Sequence, residues 1–211
     1  MRRWKNLSTR IQENARYSYE NLKPLLQNAY PAVSSMFSVT FHQSSLPVIF
    51  RPIQESDLVR INELSNMPDI SQHFETIPPV SMATTQAMWS YMQSGIVTLW
   101  GIFDGDVLIG GAGFYAQPQG TRLSHVATFF LYMIPEYWGK GIGRATIQFL
   151  DEEVRKSGYL KMECMVADTN PRAIRLYEKE GYEQEGRKKL AFFIDGKYAD
   201  LCLMGKIISD I

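Results

Sequence analysis

The chain has 211 residues, 45% hydrophobic and 21% charged, with 22 basic side chains against 22 acidic ones. That length allows one domain with a real core, or one domain with an extension. The charge balance excludes a global field that would recruit nucleic acid or anionic lipid, so a charged partner must be met locally.

In chain order, "MRRWKNLSTR" has the positive start of a signal peptide, but the polar "IQENARYSYENLK" follows where an apolar stretch would be needed. Residues 1–45 carry Pro24 and Pro31 and end in a Ser-rich bridge, "SSMFSVTFHQSSLP". They read as an N-terminal extension to a domain at 46–211. Leu7, Ile11, Ala15, Tyr19 and Leu22 have loose helical spacing, which predicts one or two helices there; a tail without fixed structure is the alternative.

From Pro47, "PVIFRPI" predicts a strand and "ESDLVRINELSN" a helix capped by Ser56 or Asp57. A second helical region is interrupted at Pro78-Pro79 and resumes after Ser81. "VTLWGIF" and "VLIGGAGFYA" form a hairpin through "DGD", and "LSHVATFFLYMI" is the next strand. Its apolar run, Val126 to Ile134, is half the length of a bilayer span, so no transmembrane segment is expected. A glycine loop and a helix from about Gly141 to Ser157 follow, then the strand "LKMECMV" and a helix opened by Asn170 that ends near Gly181. A final hairpin turns at Asp195-Gly196. The pattern is an α/β domain with a central sheet. Cys164 and Cys202 sit in apolar strand patterns as small reduced core residues, which fits a cytoplasmic protein.

"YWGKGIGRA" joins a strand to a helix N-terminus, where converging backbone amides and the helix dipole favour an anion. A Walker loop is excluded because Lys140 precedes Gly141, and a dinucleotide fingerprint because its third glycine falls on Arg144 or Thr146. The loop resembles the pyrophosphate-binding loop of the GNAT superfamily of acetyl-CoA-dependent N-acetyltransferases, pattern Q/R-x-x-G-x-G/A. Gly141 and Gly143 match, and Trp138 stands where Gln or Arg is usual. "NPRAIRLYEKEGY" resembles the second signature of the family, with Asn170 and Tyr177 in place. The ending "EGRKKLAFFIDGKYADLCLM" is similar to the branch of ribosomal-protein N-terminal and polyamine acetyltransferases.

The resemblance covers about residues 48–207 and implies a mixed, mostly antiparallel, twisted sheet flanked by helices. It implies that the backbone of Gly139, Lys140, Gly141, Ile142, Gly143 and Arg144 holds the CoA pyrophosphate. Leu131, Tyr132 and Met133 would pair with the pantetheine arm, Asn170 would cap its helix and touch the cofactor, and Tyr177 would protonate the departing thiolate. The implied activity is acetyl transfer from acetyl-CoA to a primary amine, as in a protein N-terminus or a polyamine, by direct attack in a ternary complex. A non-catalytic acyl-CoA-binding module is the alternative. The family's usual Glu, five residues before the Asn, is Met165 here, which leaves Glu163, then His125, then a water chain as candidate bases. Glu55, Asp57, Asp69 and Glu75 fall where the family builds its acceptor wall. No metal is expected, because His42, His73 and His125 are isolated and no H-E-x-x-H or C-x-x-C occurs. Neither nucleic acid nor membrane is an expected partner, and the sequence leaves room for a homodimer.

Overall fold

Alternation of apolar and polar side chains shapes the sheet. In β6 (Lys161–Ala167), Met162, Cys164 and Val166 are buried while Met165 is exposed. The computed structural model describes residues 39–41, 47–117 and 120–209. The helices expected within residues 1–38 lie outside them.

Among the described residues eight strands form one sheet in the order β1-β2-β3-β4-β5-β6-β8-β7. The others are β1 (Val39–Phe41), β2 (Val48–Pro52), β3 (Val97–Asp104), β4 (Val107–Ala116), β5 (Val126–Met133), β7 (Glu183–Ile194) and β8 (Lys197–Ile207). All neighbours are antiparallel except β5 and β6. The sheet is thus mixed and mostly antiparallel, and both expected hairpins form, with Gly105 and the Asp195-Gly196 pair at positive φ in their turns. One boundary differs from the sequence expectation. β1 falls inside the segment assigned to the extension yet pairs with β2, so the sheet begins earlier than residue 46.

Five helices are described: α1 (Leu58–Ser65), α2 (Pro68–Ser71), α3 (Met82–Met92), α4 (Ile142–Lys156) and α5 (Pro171–Lys179). A 3-10 turn over Glu55–Asp57 precedes α1, and Asp57 serves it differently from a simple cap. Its carboxylate accepts the Gln54 amide and a two-pronged bond from Arg51, at 2.8, 2.8 and 2.9 Å. Ser81 caps α3 by accepting the Thr84 amide. α4, the crossover that a parallel β5/β6 pair requires, lays Phe149 against Phe50 at 4.5 Å and edge-on to Trp100 at 5.2 Å.

The feature that positions the site is a failure of pairing. β5 and β6 match only at Val126↔Lys161, Ala127↔Met162 and Thr128↔Glu163. Beyond that point β5 stays on β4 to Met133 and β6 stays on β8 to Ala167, so the two strands part and leave a wedge in the middle of the sheet.

Candidate active site

The wedge opens into a cleft of about 430 Å³, walled by the end of β5, the glycine loop and the inner face of α5. Gly139 and Gly141 both have positive φ, at 75° and 82°, and Gly141 is the left-handed N-cap of α4 with no capping side chain. The first helical amides therefore have no partner within the helix until the Ala145 amide bonds the Gly141 carbonyl. Such amides, at the positive end of a helix, suit a phosphate. Gly139, Gly141, Gly143 and Arg144 line the cleft. Lys140 and Ile142 do not line it: the Lys140 ammonium lies 4.9 Å from the Tyr137 ring centroid, and the Ile142 side chain is fully buried. Gly143 has a second role, because a Cβ there would stand 3.0 Å from Leu176 Cδ2 on α5.

Trp138, the departure from the family pattern, is tightly held. Its Nε1–H donates to the Met133 carbonyl at 2.7 Å, and the Arg172 guanidinium lies 3.2 Å from its ring centroid. The bond from the Ile134 amide to the Ile109 carbonyl fixes the phase of the β5 ladder. Alternation then turns the backbone of Tyr132 toward β4 and that of Leu131 and Met133 toward the wedge. Leu131 and the Met133 amide are thus free-edge groups suited to an extended amide-bearing chain, whereas Tyr132 meets the cleft with its side chain. That distinction among Leu131, Tyr132 and Met133 follows from register, which single-residue reading cannot supply.

Asn170 caps α5 through the Ala173 amide at 3.2 Å and lines the cleft. Tyr177 lines it too, with its ring buried edge-on to Phe129 at 5.2 Å. Burial, with a smaller contribution from Cys164, raises the Tyr177 hydroxyl pKa, so it keeps its proton at neutral pH. Burial, assisted by Glu163, likewise raises Cys164, and a thiol so held is no nucleophile.

Among the described residues, neither candidate base lines the cleft. Glu163 sits at the closed end of the wedge, 3.6 Å from the Lys161 ammonium, and His125 is exposed at the start of β5. Sequence reasoning missed Arg172, Arg175 and Lys179, which share one face of α5 and line the cleft at i, i+3 and i+7, a spacing legible in "NPRAIRLYEK". It also missed His73 and Phe74, which lie with Asp69 on the opposite wall. Burial and the Arg172 charge lower the His73 pKa against the pull of Asp69, and its Nδ1 is buried without a hydrogen-bond partner. The donor set of open amides, guanidinium groups and a lysine fits a polyphosphorylated cosubstrate such as CoA. No cluster of three metal-ligating side chains occurs among the described residues, and no described helix is long and apolar enough to cross a membrane.

Comparison with known proteins agrees with this geometry. The acetyltransferase (GNAT) family profile matches residues 64–182, more than half of the chain. The chain is 38% identical over 76 residues to a spermidine N(1)-acetyltransferase of Vibrio cholerae, covering 36% of this chain and 44% of that enzyme. It is 27% identical over 167 residues to the L-amino acid N-acetyltransferase AaaT of Escherichia coli, covering 76% of this chain and 98% of that enzyme. In structure it matches the Vibrio cholerae spermidine N-acetyltransferase solved with CoA and spermine, with a TM-score of 0.68 and 26% identity over 76% of this chain and 95% of that one. The chain belongs to the acetyltransferase (GNAT) family of acetyl-CoA-dependent N-acetyltransferases.

Proposed function

We propose that the protein moves the acetyl group of acetyl-CoA to a primary amine by direct attack while both substrates are bound. The observation that carries this is the wedge between β5 and β6, which brings the glycine loop, the free edge of Leu131 and Met133, Asn170 and Tyr177 around one cleft. Gly139 to Arg144 hold the pyrophosphate by backbone amides, and Arg144, Arg172, Arg175 and Lys179 supply compensating charge. Leu131 and the Met133 amide orient the pantetheine arm and polarise the thioester carbonyl. As the carbon–nitrogen bond forms and the carbon–sulfur bond breaks, Tyr177 donates its proton to sulfur and regains one from solvent. The proton shed by nitrogen leaves through water, because neither Glu163 nor His125 reaches the cleft.

The amine relatives support an amine acceptor for this chain. An alkylammonium with a pKa of about 10.4 is neutral at pH 7 only on the order of once in a thousand, a handicap of roughly 4 to 5 kcal/mol that the acceptor site must offset. The free, buried thiols of Cys164 and Cys202 support a reducing cytoplasmic setting. A homodimer belongs to the same reading, with sedimentation velocity as its test. The deciding experiment is detection of CoA thiol release over a panel of primary amines. Release that depends on the amine establishes the transferase, whereas acetyl-CoA binding with no release under any amine leaves only a binding module.

A further inference from the structure

A second cavity, of about 480 Å³, adjoins the first, and Ile70, Phe74 and Tyr132 line both. Phe74 and Tyr132 meet edge-on at 5.5 Å, so an aromatic pair stands where the cofactor cleft and this second cavity adjoin. Its wall comes from α1, α3 and the outer face of β3–β5, with Met88, Tyr91, Leu99, Tyr115 and Phe130 among its residues. Among the described residues no Asp, Glu, Lys, Arg or His lines it. Three of its hydroxyls are turned to local use: Ser65 and Thr85 donate to backbone carbonyls, and Thr84 pairs with Ser81.

Of the acidic residues that sequence position assigned to an acceptor wall, none lines this cavity, and only Glu75 stands between two lining residues, Phe74 and Thr76. Asp57 is engaged by Arg51, Glu55 is exposed, and Asp69 faces the cofactor cleft. Glu75 is also exposed, and its charge is felt at Tyr115, on the cavity wall. Apart from Glu75, whose charge reaches the wall at Tyr115, a polyamine would find no counter-charge here for its further ammonium groups, and a free amino acid would find none for its carboxylate; both are costly. A volume of this size suits a small molecule, and an uncharged, aromatic-rich lining suits an apolar body.

We propose that this cavity is the acceptor subsite and that it takes a small primary monoamine carried on an apolar or aromatic body. The proposal rests on the transferase reading above. The same wall helps to account for the missing base. An ammonium group leaving water for an uncharged site loses its preference for the charged form, so the amine sheds one proton to solvent as it docks and meets the thioester neutral. Its nitrogen then bonds the acetyl carbon, sulfur departs with the proton of Tyr177, and the second nitrogen proton passes to water.

The test compares 2-phenylethylamine, spermidine and L-phenylalanine as acceptors for the full chain with acetyl-CoA, read as kcat/KM from thiol release. We expect 2-phenylethylamine to exceed both others by about tenfold or more. Met88, 47% exposed on α3, allows a carboxylate to be added to the wall without burying it deeply. Met88→Glu is expected to lower turnover of 2-phenylethylamine and raise that of spermidine, with acetyl-CoA affinity unchanged by calorimetry. Spermidine equal to or better than 2-phenylethylamine, an unmoved preference in Met88→Glu, or no binding of 2-phenylethylamine to the acetyl-CoA-loaded protein would overturn the proposal. Hexanoyl-CoA outperforming acetyl-CoA would also overturn it, by giving the cavity to the acyl chain. Binding of 2-phenylethylamine without thiol release from any amine is a separate result: it keeps the apolar subsite and removes the transferase reading.

Discussion

Tyr177 combines a buried ring with a hydroxyl on the cleft, so its two roles can be separated by one atom. Tyr177→Phe keeps the packing against Phe129 and should leave stability and acetyl-CoA affinity nearly unchanged. Turnover should fall by about 10²- to 10⁴-fold, the usual span of general-acid help, in steady-state assays where chemistry limits. Wild-type turnover would return the tyrosine to a packing role alone. His73 carries a prediction about stability instead. Burial lowers its pKa from the ordinary 6.5, so between that value and its lower folded value the unfolded chain binds more protons. Stability should therefore decline as pH falls below about 6.5, and melting curves of His73→Gln should show a shallower decline from pH 7 to 5. An identical slope in the variant would sink the idea. Asp57 does not confuse that window. Burial pushes its carboxyl up, but Arg51 and the Gln54 amide outweigh this and hold it below 3.8, so its contribution is lost only at more acid pH.

At the scale of elements, the loop and the two helices it feeds cannot be altered independently. Gly141 caps α4 at φ 82°, so Gly141→Ala should cost about 1 to 2 kcal/mol in denaturant unfolding before any ligand is considered. Gly143→Ala brings a methyl to 3.0 Å from Leu176 Cδ2, the end of a flexible side chain, so that crowding is set against a helix-propensity gain of about 0.5 to 1 kcal/mol, and stability in denaturant unfolding should move by no more than about 1 kcal/mol. Adding Leu176→Ala to that variant should yield a favourable coupling in a double-mutant cycle; additive effects would mean that the helices do not meet there. The sequence made the glycine turn, the Asn170 cap and both hairpins legible because each is a local solution with characteristic residues. The basic face of α5 was equally local and could have been found from the spacing of Arg172, Arg175 and Lys179. The place of Glu163 at the closed end of the wedge was not legible for a different reason: where β5 and β6 stop pairing is a property of two strands about thirty-five residues apart in sequence, invisible to either alone. His73 and Phe74 follow the short helix α2 in a stretch with no hydrophobic period to orient them.

For the whole molecule, β1 shows that the sheet begins before the Ser-rich bridge ends. A chain starting at residue 38 is expected to melt cooperatively and bind acetyl-CoA as the full chain does, measured by differential scanning and titration calorimetry. A chain starting at residue 47 loses a three-residue edge strand that bonds only to β2, so it should melt at a slightly lower temperature and still bind. Loss of cooperative melting in the longer of the two would make residues before 38 part of the core. The wedge has a mechanical corollary. Within the sheet itself only three residue pairs, among the described residues, join the five-stranded part, β1 to β5, to the three-stranded part, β6 to β8, with ring contacts of Phe129 to Tyr177 and Tyr182 beside them. A ligand seated between the β5 edge and α5 acts as a stitch across that seam, so acetyl-CoA should slow amide hydrogen exchange at residues 126–128 and 161–163, well away from its own contacts.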